Sequence, residues 1–224
     1  MDFNEITEMI AVFAVPVIFA ITLHEAAHGY VARHFGDTTA FMLGRISLNP
    51  ARHIDLVGTI FLPLVTLFAT GGRIMFGWAK PVPVNFHALR RPKRDMLWVA
   101  LAGPAANLVM ALGWAAALKI GTLSGLRQSD FLLQVPIAGV EVNLVFMALN
   151  LLPILPLDGG RVVVSLLPDR LAGSFSRLEA FGLPILLGLV VVSSYGYNIL
   201  GMFLDPIMVA SRSVIAAIFQ LYPI

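Results

Sequence analysis

Residues 9–30 read MIAVFAVPVIFAITLHEAAHGY: a nearly unbroken apolar run from Met9 to Leu23 passes into His24-Glu25-Ala26-Ala27-His28 with nothing between them to end a helix. About 20 mostly apolar residues span a bilayer. A first helix is therefore expected over residues 8–34, ended by Gly36-Asp37, with the His–Glu–His group inside the membrane near the far end of the span. The rest of the chain has the same character. Of its 224 residues 58% are apolar and 12% charged, with a mean hydropathy of +0.85, whereas soluble domains are about 45–50% apolar and about 25% charged. The apolar residues fall in runs rather than stripes, as in helices that face lipid or other apolar helices all round.

Working outward, a polar stretch from Thr38 to Asp55 precedes the apolar run Leu56–Thr70, which is short for a full span and suits a re-entrant or tilted element. Gly71–Asp95 is rich in Gly, Pro and Arg. Within it, the alternating prolines of Lys80-Pro81-Val82-Pro83 forbid a helix and favour extended backbone. Further spans are expected from Met96 to about Ile120, from Pro136 to about Pro153, and over Ala180–Leu200, with a polar link at residues 121–135. The chain should break at Pro153, Pro156 and Gly159-Gly160, and Pro168 should stop the short apolar piece Val162–Leu167. Pro206–Leu221 reads as a fifth span or an interfacial helix. The expected fold is an all-α polytopic membrane protein of five to six membrane helices or re-entrant segments. It carries a short extended or β insert near residues 74–86, and residues 1–224 form a single membrane-embedded domain.

The charges sort by side. The acidic start, Met1-Asp2-Phe3-Asn4-Glu5, is a poor signal-peptide n-region, so the first run is expected to remain in the mature protein. If Leu56–Thr70 does not cross, Arg45, Arg52, Arg73, Lys80, Arg90, Arg91, Lys93 and Arg94 share one side with Arg161, Arg170 and Arg177. The N-terminus, Lys119 and Arg127 then lie on the other. If it does cross, Arg45 and Arg52 part from the Arg90–Arg94 cluster. The positive-inside rule favours the first arrangement. The cluster itself reads as a topology determinant in contact with anionic lipid. No basic patch interleaved with aromatics is present to hold nucleic acid.

The chain has no cysteine, which excludes disulfides, thiolate ligands and a thiol nucleophile. Any metal must be held by His and carboxylate. His24 and His28, four apart, share one face of a helix and can reach one ion, with Glu25 close enough to take a proton from water at that ion. Two imidazoles and a carboxylate in an apolar helix are costly, which argues against a chance match. A catalytic zinc needs one more protein ligand, and Asp37, Asp55, His34, His53, Glu141 and Asp158 are candidates. Asp158 stands out because Pro153, Pro156, Gly159 and Gly160 break the helix around it and could turn its carboxylate inward; a helix cap in a surface loop is the plainer alternative. Asn107 and Asn150 could hold substrate backbone or a developing oxyanion, or simply join neighbouring helices. His53 and Asp55 read as a capping turn before the Leu56 run rather than as an accessory site, although the accessory role stays open. Glu141 has no evident role.

Three segments carry a family resemblance: His24-Glu25-Ala26-Ala27-His28, Gly103-Pro104-Ala105-Ala106-Asn107, and Asn150 through Pro153 to Leu157-Asp158-Gly159. In this order they resemble the site-2 protease family of intramembrane metalloproteases, over about residues 10–170. Gly44–Pro50, His53-Ile54-Asp55 and Gly77–Asn85 are similar to a compact prokaryotic branch. The resemblance implies a zinc ion held by His24, His28 and Asp158, with Glu25 as general base. It also implies that residues 74–86 present an edge to the substrate, and it raises Asn150 above Asn107 as a substrate-binding residue. The expected protein is a multi-pass zinc endopeptidase of the prokaryotic cell (inner) membrane. It would hydrolyse peptide bonds in or next to transmembrane segments, with a transmembrane protein or peptide and membrane lipid as partners and no nucleic acid. Its substrate and oligomeric state are not legible. Two rivals are a metal transporter using the same residues, which would call for more polar groups along the spans, and a catalytically idle scaffold, against which the intact His–Glu–His and Asp158 argue.

Overall fold

Pro92 opens a long helix where its missing N–H costs nothing, and Asp95 in the first turn accepts from Arg91 N–H at 2.7 Å. Similar local logic ends the helix before it. Gly36 is left-handed (φ +108°), and the N–H groups of Gly36 and Asp37 close back on Arg33 O and Ala32 O at 3.1 and 3.0 Å. The structure, a computed structural model, describes residues 3–62, 65–66 and 77–221. Its helices are α1 (Phe3–His34), α2 (Thr39–Met42), α3 (Pro92–Leu123), α4 (Phe131–Asn150), α5 (Asp158–Leu166), α6 (Asp169–Ser176), α7 (Glu179–Ser194) and α8 (Ile199–Phe219). Short 3₁₀ turns lie at Pro50–Arg52 and Phe86–Ala88, and a π-helical turn at Leu56–Phe61.

The helices α1, α3 and α4 make the most extensive contacts with one another. Ala20, Ala111, Ala115, Val140, Leu144 and Ala148 are fully buried, and the small residues among them let backbones come close. α5 packs on α3, while α8 lies against α4 and α3 and carries α7. Outside this centre the surface is apolar: Ile10, Phe19, Val109, Met202 and Phe203 are exposed. A soluble protein does not show so much exposed apolar surface. Among the described residues four helices are long and apolar enough to cross a bilayer, beginning at Thr7, Pro92, Phe131 and Ile199, and the pair α6–α7, bent by 60°, makes a fifth if taken as one broken span. The chain is a multi-pass integral membrane protein.

The C-terminal end of α1 and the start of α3 lie together, since Arg90 N–H donates to Phe35 O at 3.0 Å. Lys93, in the first turn of that helix, bonds Leu167 O and Asp169 Oδ1 through its Nζ, and Arg45 Nη2 bonds Lys80 O. Lys119 Nζ is at the opposite end of α3, against Gln220 O at 3.3 Å. Trp78 N–H donates to Gly58 O and Lys80 N–H to His53 O, both at 2.9 Å, so the chain comes back beside the point it left. Of the Leu56–Thr70 run, residues 63–64 and 67–70 lie outside the described residues.

Two expectations change. No strand occurs among the described residues: 77–85 are irregular, and 74–76 of the expected insert lie outside the description. Gly159-Gly160 does not break a helix but lies in the first turn of α5. A Cβ on Gly159 would lie 2.3 Å from Leu151 O and Leu152 O, and one on Gly160 2.5 Å from Leu155 N. The pair is therefore there for closeness to the preceding turn rather than for unusual dihedrals. Pro104 is accommodated inside an unbroken α3, as neighbouring helices allow in membranes.

Candidate metal centre

His24 and His28 stand one turn apart on α1 with their Nε2 atoms 3.1 Å from each other. Asp158 Oδ2 approaches them at 3.1 and 3.3 Å. All three residues are buried, at 7, 8 and 8% exposure. Asp158 reaches them because Pro153 and Pro156 stop α4 from continuing, and a tight turn (Ile154 N–H to Leu152 O, 2.8 Å; Leu157 N–H to Ile154 O, 2.9 Å) starts α5 on the aspartate. A carboxylate in the first turn also meets the positive end of the helix dipole.

The face of α3 that backs the histidines uses every fourth residue. Val99 O accepts from His28 Nδ1 at 2.7 Å, and Asn107 Oδ1 accepts from His24 Nδ1 at 2.5 Å. Gly103 lies between them, where a Cβ would be 2.4 Å from His28 Nε2 and 2.5 Å from His24 Nε2. Both acceptors assign the ring proton to Nδ1 and leave both Nε2 atoms with a lone pair. Asp158 Oδ2 accordingly accepts no hydrogen bond, although both nitrogens are near.

Three lone-pair atoms so close in a buried site repel one another unless a cation lies among them. Their separations approach the roughly 3.3–3.4 Å edge of a tetrahedron with zinc–nitrogen bonds of about 2.0–2.1 Å. Among the described residues this is the group set to hold a metal ion.

Glu25 is half-buried beside the group, and its Oε2 accepts from Val82 N–H at 2.7 Å. Asn107 is fully buried; its Nδ2 donates to Asn143 Oδ1 at 3.1 Å, and Asn143 Nδ2 donates to Gly139 O at 2.8 Å. Its amide is thus committed to His24 and to α4 rather than turned toward a substrate. Asn150 lies half-buried at the end of α4, with Nδ2 on Phe146 O at 3.0 Å. The remaining candidates are elsewhere. Asp55 caps the Leu56–Phe61 turn by accepting from Val57 and Gly58 N–H, and buried His53 bonds Ser47 O at 2.8 Å. Asp37 accepts from Thr39 and Asn85 N–H, and Glu141 pairs with Arg212 of α8. His34 closes α1 outside the group.

Sequence reasoning did not find Asn143, the spacing role of Gly103, Arg212 as partner of Glu141, or Val82. A polar residue in an apolar span marks Asn143 and Arg212. Nothing in a valine announces that its main chain matters.

A helical membrane protein that aims two imidazole lone pairs and a carboxylate at one point, with a glutamate next in sequence, falls in the class of membrane metallohydrolases. The comparisons with known proteins agree. The chain is 35% identical over 210 residues to the Bacillus subtilis protein named "Putative zinc metalloprotease YwhC", covering 92% of this chain and 90% of that one. It is 30% identical over 174 residues to the Mycobacterium tuberculosis protein named "Putative zinc metalloprotease Rip2", covering 76% of this chain and 62% of that one. To the Mycolicibacterium smegmatis protein of the same name it is 33% identical over 150 residues, 63% of this chain and 52% of that one. No family model and no solved structure matches. The chain belongs to this family of zinc metalloproteases. Zinc is its cofactor.

Proposed function

We propose that the protein cuts peptide bonds within or beside transmembrane segments of other membrane proteins, with His24, His28 and Asp158 as zinc ligands and Glu25 as general base. The observation that carries this reading is the depth of the site. His28 lies six residues before the end of α1, about 9 Å along the axis, inside a helix apolar enough to span. A bond cut there must reach membrane depth. A helical substrate must first unwind, because its carbonyls are covered and hydrogen-bonded.

Zinc in the site would polarise the scissile carbonyl and make water acidic enough to ionise near neutral pH. Glu25 takes the proton from water as its oxygen bonds to the carbonyl carbon. It then gives that proton to the amide nitrogen as the C–N bond breaks, leaving a carboxylic acid and an amine. Asn107 and Val99 O hold the imidazoles in the required tautomer. Asn150 remains the proposed substrate contact. Beyond its bond to Phe146 O it keeps a second N–H and a carbonyl oxygen for a peptide backbone.

The test uses purified protein in lipid vesicles with a synthetic single-span peptide broken by a central Gly-Pro pair. Wild-type protein with zinc cleaves it, and Glu25→Gln lowers the rate by about 10²–10⁴-fold. Undiminished cleavage by Glu25→Gln sinks the mechanism. Zinc flux without cleavage establishes the transporter instead.

A further inference from the structure

Proline has no N–H, so across Pro81-Val82-Pro83 the chain carries a single backbone donor, that of Val82. This donor is spent on Glu25 Oε2 at 2.7 Å. Three contacts hold it there. Gly29, one turn beyond Glu25 on the same face of α1, leaves room for the insert: a Cβ there would lie 2.8 Å from Ile46 Cγ1 and 3.3 Å from Val82 Cγ1. Arg45 Nη2 donates to Lys80 O at 3.0 Å and Pro81 O at 3.3 Å, fixing the two carbonyls before Val82. Asn85 N–H, on the far side, is anchored to Asp37 Oδ2 at 2.6 Å.

Trp78 and Lys80 also point their N–H groups inward, to Gly58 O and His53 O. A substrate pairing along the other edge would meet Pro81 and Pro83, which have nothing to donate. These bonds furnish the segment as a brace for Glu25.

We infer that Pro81-Val82-Pro83 is a positioning element for Glu25: the Val82 N–H grips one carboxylate oxygen and so presents the other to the reacting water. The inference rests on the reading of Glu25 as general base and deepens it. An unheld glutamate rotates among several staggered conformers, and each must be searched during the reaction; an anchored one meets its water already oriented. The segment therefore acts on turnover rather than on substrate affinity.

Two measurements test it. Val82 offers the lone exchangeable backbone amide of residues 81–83, so hydrogen–deuterium exchange of the purified full chain reads this bond without any substrate. Its exchange should quicken at least about tenfold in Glu25→Ala; an unchanged rate overturns the inference. In the peptide assay, Val82→Pro should lower kcat at least about tenfold with KM within about twofold and zinc content unchanged, while Val82→Ala, which keeps the N–H, stays within about threefold of wild type. If Val82→Pro loses zinc or folds poorly, the α-hydroxy acid counterpart of valine at position 82 replaces it, exchanging the N–H for an ester oxygen under the same side chain. A raised KM with kcat intact would give the segment to the substrate instead. Equal damage from Val82→Ala would reduce it to side-chain packing. Full activity in Glu25→Gln, by contrast, would defeat the general-base reading while the exchange result still reports whether the brace exists.

Discussion

The α3 residues packed around both nitrogens of each histidine ring set how the imidazoles act, and each of them has a separable task. Gly103 is the spacer. Gly103→Ala would place a methyl carbon about where the two Nε2 atoms now face each other, at 2.4–2.5 Å. Zinc content measured by elemental analysis should fall at least about tenfold while helicity by circular dichroism is kept. Zinc retained in full would show that the rings can move aside. Asn107 is the orienter. In Asn107→Ala the Nδ1 proton of His24 loses its acceptor, and zinc affinity should fall about 10–100-fold. If the variant instead binds zinc normally and raises KM, the substrate role expected from sequence is restored. The i, i+4 pair of histidines was legible because both ligands lie on one helix face. Val99 was not, since it contributes a carbonyl that every residue possesses.

Among the elements, the turn from α4 into α5 decides whether Asp158 reaches the histidines. Its glycines are closely surrounded, unlike Gly188. Gly159 has backbone oxygens 2.3 Å from where a Cβ would be, whereas Gly188 in α7 has nothing within 4 Å. Gly159→Ala should cost on the order of 2 kcal/mol or more and lower zinc content with it. Gly188→Ala should be neutral or slightly stabilising, by up to about 1 kcal/mol. Thermal unfolding with metal analysis checks both, and equal effects would contradict the packing described. The proline breaks before Asp158 could be read because proline acts locally on its own helix. The start of α5 could not, because a glycine pair signals both freedom and closeness, and only the neighbouring carbonyls tell which applies.

For the molecule as a whole, Glu141 and Arg212 join α4 to α8, their side chains 31 and 35% exposed. Removing one charge strands the other in an apolar setting, whereas removing both does not. Arg212→Met should therefore lower the unfolding temperature in detergent more than the Glu141→Gln, Arg212→Met double variant does. The reverse order would show the pair to be independent. By itself the sequence determined that the chain is a helical membrane protein, where its first three spans lie, that the metal must be bound by nitrogen and oxygen, and that His24, Glu25 and His28 form one cluster. Each follows from short-range rules: hydropathy over one span, helical period, and the absence of cysteine. The fourth long apolar helix, Ile199–Phe219, lies beyond the span expected over Ala180–Leu200. The tertiary structure decided that Asp158 rather than Asp37 or Asp55 closes the group, that Asn107 serves His24, and that Val82 grips Glu25. Those choices depend on which helix faces meet and on backbone N–H and C=O groups that all sequences share. The His–Glu–His cluster is local chemistry, and its surroundings are set by packing across the fold.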